Sequence, residues 1–117
     1  VGKKIMLIED DPTMIAVLST LLEIEGYQVS TPGNKALDEI VQAIRSERPD
    51  MILLDVHIRD VSGYDVLQQV REDPSLYGIR VVMTSGMDVK ERCLEAGADA
   101  FLLKPYMPDE LMAKLRG

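Results

Sequence analysis

A single cysteine, Cys93, excludes any internal disulfide, so the fold has no covalent cross-link of that kind within the chain. That composition suits a reducing compartment. Basic residues are scarce: 13 Lys and Arg stand against 20 Asp and Glu, for a net charge of −7. Nucleic-acid backbones are bound by cationic side chains that displace counterions, so no direct nucleic-acid binding is expected. The same excess of carboxylate suits a divalent cation or a basic partner. No apolar run approaches the ~18 residues of a membrane span and no signal peptide is evident, so the expected place is the cytoplasm, away from the membrane. The one histidine, His57, has no cysteine or histidine companions, which speaks against a zinc site.

Apolar residues are plentiful, at 46% of 117 positions. That is enough for a real core and sets the chain apart from disordered sequences. The length fits one domain over residues 1–117. The sequence begins at Val1, which leaves room for a longer protein around it.

Short apolar runs alternate with amphipathic segments. "KIMLI" (4–8) stops at "EDD" and leads into a helix. Asp11 is placed to cap that helix, Pro12 suits its first position and Gly26 its end. "YQVST" (27–31) reads as a strand and "PGN" (32–34) as a turn. The helix "KALDEIVQAIRSER" puts Leu37, Ile40, Val41 and Ile44 on one face. Then come the strand "MILLD" (51–55), a helix over 63–73, a strand over 79–85, a short helix over 88–97, a strand over 100–104 and a last helix over 108–116. Five strand–helix repeats of this kind imply a doubly wound α/β fold, a five-stranded parallel sheet with helices on both faces.

All strands of such a sheet point their C-terminal ends at one edge, where ligands bind. The first run delivers Glu9, Asp10 and Asp11 there, the third Asp55, the fourth Thr84 and Ser85, and the fifth Lys104. Singly, each has an ordinary reading as a helix cap, a solvated loop acid, a turn residue or a surface lysine. Together they make chemical sense as a metal and phosphoryl site. Clustered carboxylates repel one another unless a cation intervenes, and hard oxygen ligands suit Mg²⁺. A carboxylate can also be the nucleophile that takes a phosphoryl group, with the metal, a lysine and a hydroxyl holding its oxygens.

"IMLIEDDP", "MILLDVHIRDVSG", "VVMTSG" and "AFLLKPYMPDEL" together resemble the receiver domain of bacterial two-component response regulators, from about Lys4 to Leu115. The resemblance implies a flavodoxin-like fold and a phosphoacceptor switch module in a phosphorelay. Asp55 would be the phosphoacceptor. Asp10 would ligate Mg²⁺ (or Mn²⁺) directly, Glu9 largely through water, Asp55 through its carboxylate and His57 through its backbone carbonyl. Ser85 and Lys104 would bind the phosphoryl group, and Ser85 and Phe101 would form the switch pair. A sensor histidine kinase or histidine phosphotransfer protein would be the donor. A homodimer or an attached output domain would carry the signal onward. The activity implied is regulatory, limited to Mg²⁺-dependent self-phosphorylation from a donor and autodephosphorylation.

The pattern departs from the family in places. Arg59 stands four residues after Asp55, where the family usually carries proline. Lys104 follows Ser85 by only 19 positions, short of the family by about one helical turn, so a short fourth helix is expected. Phe101 stands where tyrosine is common. A flavin or nucleotide carrier on the same fold would need a Gly-, Ser- or Thr-rich phosphate loop after the first strand, where this chain has "EDDP". The remaining alternative is a receiver-like interaction module not regulated by phosphorylation.

Overall fold

The computed structural model describes residues 3–33 and 35–117. Val1, Gly2 and Asn34, the last residue of the expected 32–34 turn, lie outside the described residues. The main strands are β1 (Lys4–Ile8), β2 (Gln28–Ser30), β3 (Met51–Asp55), β6 (Arg80–Ser85) and β7 (Ala100–Leu103). They form one parallel sheet in the order β2-β1-β3-β6-β7. The helices are α1 (Pro12–Ile24), α2 (Leu37–Glu47), α3 (Gly63–Glu72), α4 (Lys90–Glu95) and α5 (Pro108–Arg116). Two further strands, β4 (His57–Ile58) and β5 (Val61–Ser62), pair as a small antiparallel hairpin that the sequence reading did not anticipate. At two residues each they are too short to show an apolar alternation.

The central strands are apolar throughout because both faces are covered. Their side chains divide by the period of two. Met6, Ile8, Ile52, Leu54, Val81, Met83 and Phe101 pack with α2, α3 and α4 through Ile40, Ile44, Val66, Leu67, Val70 and Cys93. Ile5, Leu7, Met51, Leu53, Val82 and Leu102 pack on the other face with Leu18 and Leu22 of α1 and Leu111 and Leu115 of α5. This is the expected doubly wound sandwich.

Helix ends follow their local chemistry. Asp11 Oδ1 accepts from the Thr13 amide at 2.9 Å, Pro12 opens α1, and Gly26 leaves it at φ +96°. Glu39 Oε1 accepts from the Ala36 amide at 3.1 Å at the start of α2. Ser62 Oγ accepts from the Tyr64 amide at 3.2 Å and caps α3. The fourth helix is indeed short, six residues. The chain order reverses between β1 and β3, so the loops after these neighbouring strands diverge and open a crevice at the C-terminal edge.

Candidate metal and phosphoryl site

The period of two explains which side chains meet at that edge. Glu9 continues the alternation of Ile5 and Leu7, Asp55 that of Met51 and Leu53, and Lys104 that of Leu102, all on the α1/α5 side. Sheet register brings them level, with Leu53 beside Leu7, Asp55 beside Thr84, and Thr84 beside Leu102. Lys104 Nζ then donates to Asp55 Oδ2 at 2.5 Å and to Glu9 Oε1 at 2.9 Å. Glu9, Asp10 and Asp55 each offer a carboxylate oxygen within 4.8 Å of the others. Asp55 and Glu9 are almost fully buried, at 8% and 9% exposure.

Each acid is fixed by backbone amides as well. Asp55 Oδ1 accepts from the His57 amide at 3.2 Å. Glu9 Oε2 accepts from the Asp10 amide at 2.9 Å and the Asp11 amide at 3.3 Å. Asp10 Oδ2 accepts from the Arg59 amide at 3.0 Å. Gly63 lets α3 start directly on the Asp55 peptide, and its amide donates to the Val56 carbonyl at 2.7 Å.

Burial pushes the Glu9 carboxyl above the ordinary carboxylate range, against the pull of the Lys104 hydrogen bond and with the Asp55 charge adding to the rise. Burial alone would lower the Lys104 ammonium, but its bonds to Asp55 and Glu9 outweigh that, and its pKa rises. Burial thus prevails at Glu9, whereas the two carboxylate partners prevail at Lys104. Tyr106, beside the same group, has its phenol pushed up to about 12 by burial. It lines a small recess with Glu9, Asp55 and Thr84.

Ser85 and Phe101 fall on the opposite alternation, on the side of α2 to α4. Ser85 is buried, and its Oγ accepts from the Met87 amide at 3.1 Å. The Lys104 amide donates to the Ser85 carbonyl at 2.8 Å, which ties the two strand ends together. Phe101 is buried against the core, paired in register with Met83. The imidazole of His57 is exposed at the rim. Thus Glu9, Asp55 and Lys104 form one bonded group, with the Asp10 carboxylate beside the two acids and Ser85 one residue beyond Thr84. Two contributors were not legible as site residues. Tyr106 looked like any loop aromatic. The Arg59 amide was signalled only by the missing proline at that position.

Residues 5–116 match the family model described as the response regulator receiver domain. The chain belongs to the response regulator receiver family. MtrA of Mycolicibacterium smegmatis, a DNA-binding response regulator, is 33% identical over 97% of this chain and 49% of its own length. The receiver domain thus spans about half the length of the curated relatives it matches. Among solved structures, the receiver domain of sensor histidine kinase PA1611 from Pseudomonas aeruginosa PAO1 superposes with a TM-score of 0.85 at 25% identity, covering 99% of this chain and 96% of that one. That structure has a magnesium ion coordinated in its active site cleft. The BeF3-activated N-terminal receiver domain of Klebsiella pneumoniae RstA gives 0.84 at 27% identity, over 97% and 95%. The receiver domain is therefore a regulatory module of two-component systems, and among its described residues no helix is long and apolar enough to cross a membrane.

Proposed function

We propose that this receiver domain accepts a phosphoryl group on Asp55, with a divalent cation bound by Glu9, Asp10, Asp55 and the His57 carbonyl. The observation that carries the reading is the Lys104 ammonium bonded to both Asp55 and Glu9 at the sheet edge, with Asp10 alongside. Three carboxylates against one ammonium leave two negative charges uncompensated, which matches a divalent cation. The donor set is all oxygen, which suits Mg²⁺ or Mn²⁺. When bound, the metal would neutralise charge on the phosphoryl oxygens during transfer.

The chain's own residues supply the rest. An Asp55 carboxylate oxygen attacks the phosphorus of a phosphohistidine, the P–O bond forms, and the P–N bond breaks. The leaving imidazole nitrogen takes its proton from solvent. Lys104, already in contact with Asp55 Oδ2, would turn to an incoming phosphoryl oxygen. Ser85 Oγ accepts from the Met87 amide, so its own proton stays available to donate to another phosphoryl oxygen. That movement would draw Ser85 away from the core side and let Phe101 change rotamer behind it. Later attack of water on phosphorus releases phosphate and restores the carboxylate.

The donor we propose is a sensor histidine kinase or histidine phosphotransfer protein, and the recipient of the signal is an attached output domain or a second copy of the chain. Residues 1–117 act as one cytoplasmic domain in this reading. If the whole protein binds DNA as MtrA does, that contact would lie outside these residues, whose net charge is −7. The test is a small-molecule phosphodonor with mass detection. One phosphoryl group should add in Mg²⁺, none in EDTA and none to Asp55→Asn. Label that persists in that variant refutes Asp55 as the acceptor and favours a module independent of phosphorylation at this residue.

A further inference from the structure

Arg59 has an uncommon backbone. It is the first of the two loop residues joining β4 and β5, and its φ is +51°. The left-handed region is strained for an arginine, and at this place in a two-residue hairpin loop glycine is the favoured residue. Some interaction must hold Arg59 there. The one the conformation makes is the hydrogen bond from its amide to Asp10 Oδ2, 3.0 Å long and spanning 49 positions of sequence. Among the described residues it is the only hydrogen bond made to the Asp10 carboxylate. Glu9 and Asp55 by contrast are each held by Lys104 and by amides of their own loops.

We infer that the Arg59 amide is a positioning group for Asp10, and that it presets this carboxylate for the divalent cation. The inference rests on the metal reading above and adds to it a residue that touches neither metal nor phosphoryl group. With Oδ2 held by the amide, the Asp10 carboxylate is oriented while one of its oxygens lies within 4.8 Å of oxygens of Glu9 and Asp55. A carboxylate free to rotate would lose that freedom when the cation binds, whereas one already oriented does not. Removing a partner that orients a metal ligand commonly weakens binding by about tenfold or more. Proline at 59 cannot supply this contact: its ring fixes φ near −65° and it has no N–H. The role belongs to the main chain, so the guanidinium can be removed without consequence.

The experiment follows the thermal midpoint of the whole chain as Mg²⁺ is titrated. Arg59→Gly and Arg59→Ala keep the amide and should titrate like the wild type. Arg59→Pro should need about tenfold more Mg²⁺ for the same shift. Wild-type affinity in Arg59→Pro overturns the inference. So does a loss in Arg59→Ala as large as that in Arg59→Pro, because the side chain would then be responsible. Asp10→Ala separates the two levels: if it leaves the Mg²⁺ response intact, the metal site itself has been misassigned. A second measurement does not depend on the proline variant folding. In metal-free protein the ¹H–¹⁵N resonance of Arg59 should be protected from exchange and shifted downfield, and both features should vanish in Asp10→Ala. An Arg59 amide that is indifferent to Asp10→Ala overturns the inference as well.

Discussion

Gly63 leaves no space for a side chain. A Cβ there would lie 2.2 Å from the carbonyl oxygen of Asp55 and 3.0 Å from Val56 Cα, both backbone atoms that cannot rotate away. Its φ is not in the left-handed region, so close approach, not conformational freedom, is what requires glycine. The closeness has a use, because α3 begins directly against the strand end that carries Asp55. Arg59 makes the complementary case, a long side chain at a position whose backbone geometry carries the interaction. Gly63→Ala should therefore destabilise the fold by about 2–3 kcal/mol, at the upper end for an overpacked site, and slow phosphoryl uptake by moving Asp55. Urea unfolding checks the first effect and initial rates with a small phosphodonor the second. An alanine variant as stable as the wild type would mean that α3 can slide outward at no cost.

At the scale of elements, much could be read from pattern. Helix α1 was legible from Asp11, Pro12 and Gly26, and strand β3 from its unbroken apolar run into Asp55. The contacts that join elements were not. Arg71, on the half-buried face of α3, donates to the carbonyls of Tyr77, Ile79 and Gly97 and to Asp99. It ties the end of α3 to the approaches of β6 and β7, yet in sequence it is one more arginine at a helix end. The Lys104 partition between two acids is equally invisible, because it depends on sheet register. Asp73 belongs to this class. It receives Arg45 Nε of α2 at 2.9 Å, and Ser75 donates to it through both its amide and its hydroxyl. The Arg45 hydrogen bond, then those from Ser75, lower its pKa from 3.8 to about 2. A depressed folded-state pKa gives stability that is present above the unfolded value and is lost as pH falls through the folded one. The expected window is thus from about pH 4 down to about pH 2. Urea midpoints should fall more steeply across it for the wild type than for Asp73→Asn. Parallel profiles would show that the Arg45–Asp73 link is not maintained in solution.

For the whole molecule, the charge that makes the site useful also loads the fold. Three acids share one edge of a domain whose net charge is already −7. Lys104 is the compensation available without metal, and by the proposal above a divalent cation is the other. If both act on the same carboxylates, their effects cannot add. In metal-free protein, Lys104→Met should lower stability by about 1–2 kcal/mol, well below the cost of breaking a fully buried pair because the ammonium is a quarter exposed. For a domain of this size that is roughly 3–10 °C in melting temperature. Mg²⁺ should stabilise the wild type by RT ln(1 + [L]/Kd), about 1 kcal/mol at a few times Kd. It should stabilise Lys104→Met by more, because the cation then meets three uncompensated carboxylates. The gap in melting temperature between the two proteins should accordingly narrow as Mg²⁺ is raised, and open again in EDTA. A gap that stays constant across the titration would show that the lysine and the cation act on separate groups. The shared charge at the strand ends would then not be what couples metal, lysine and Asp55.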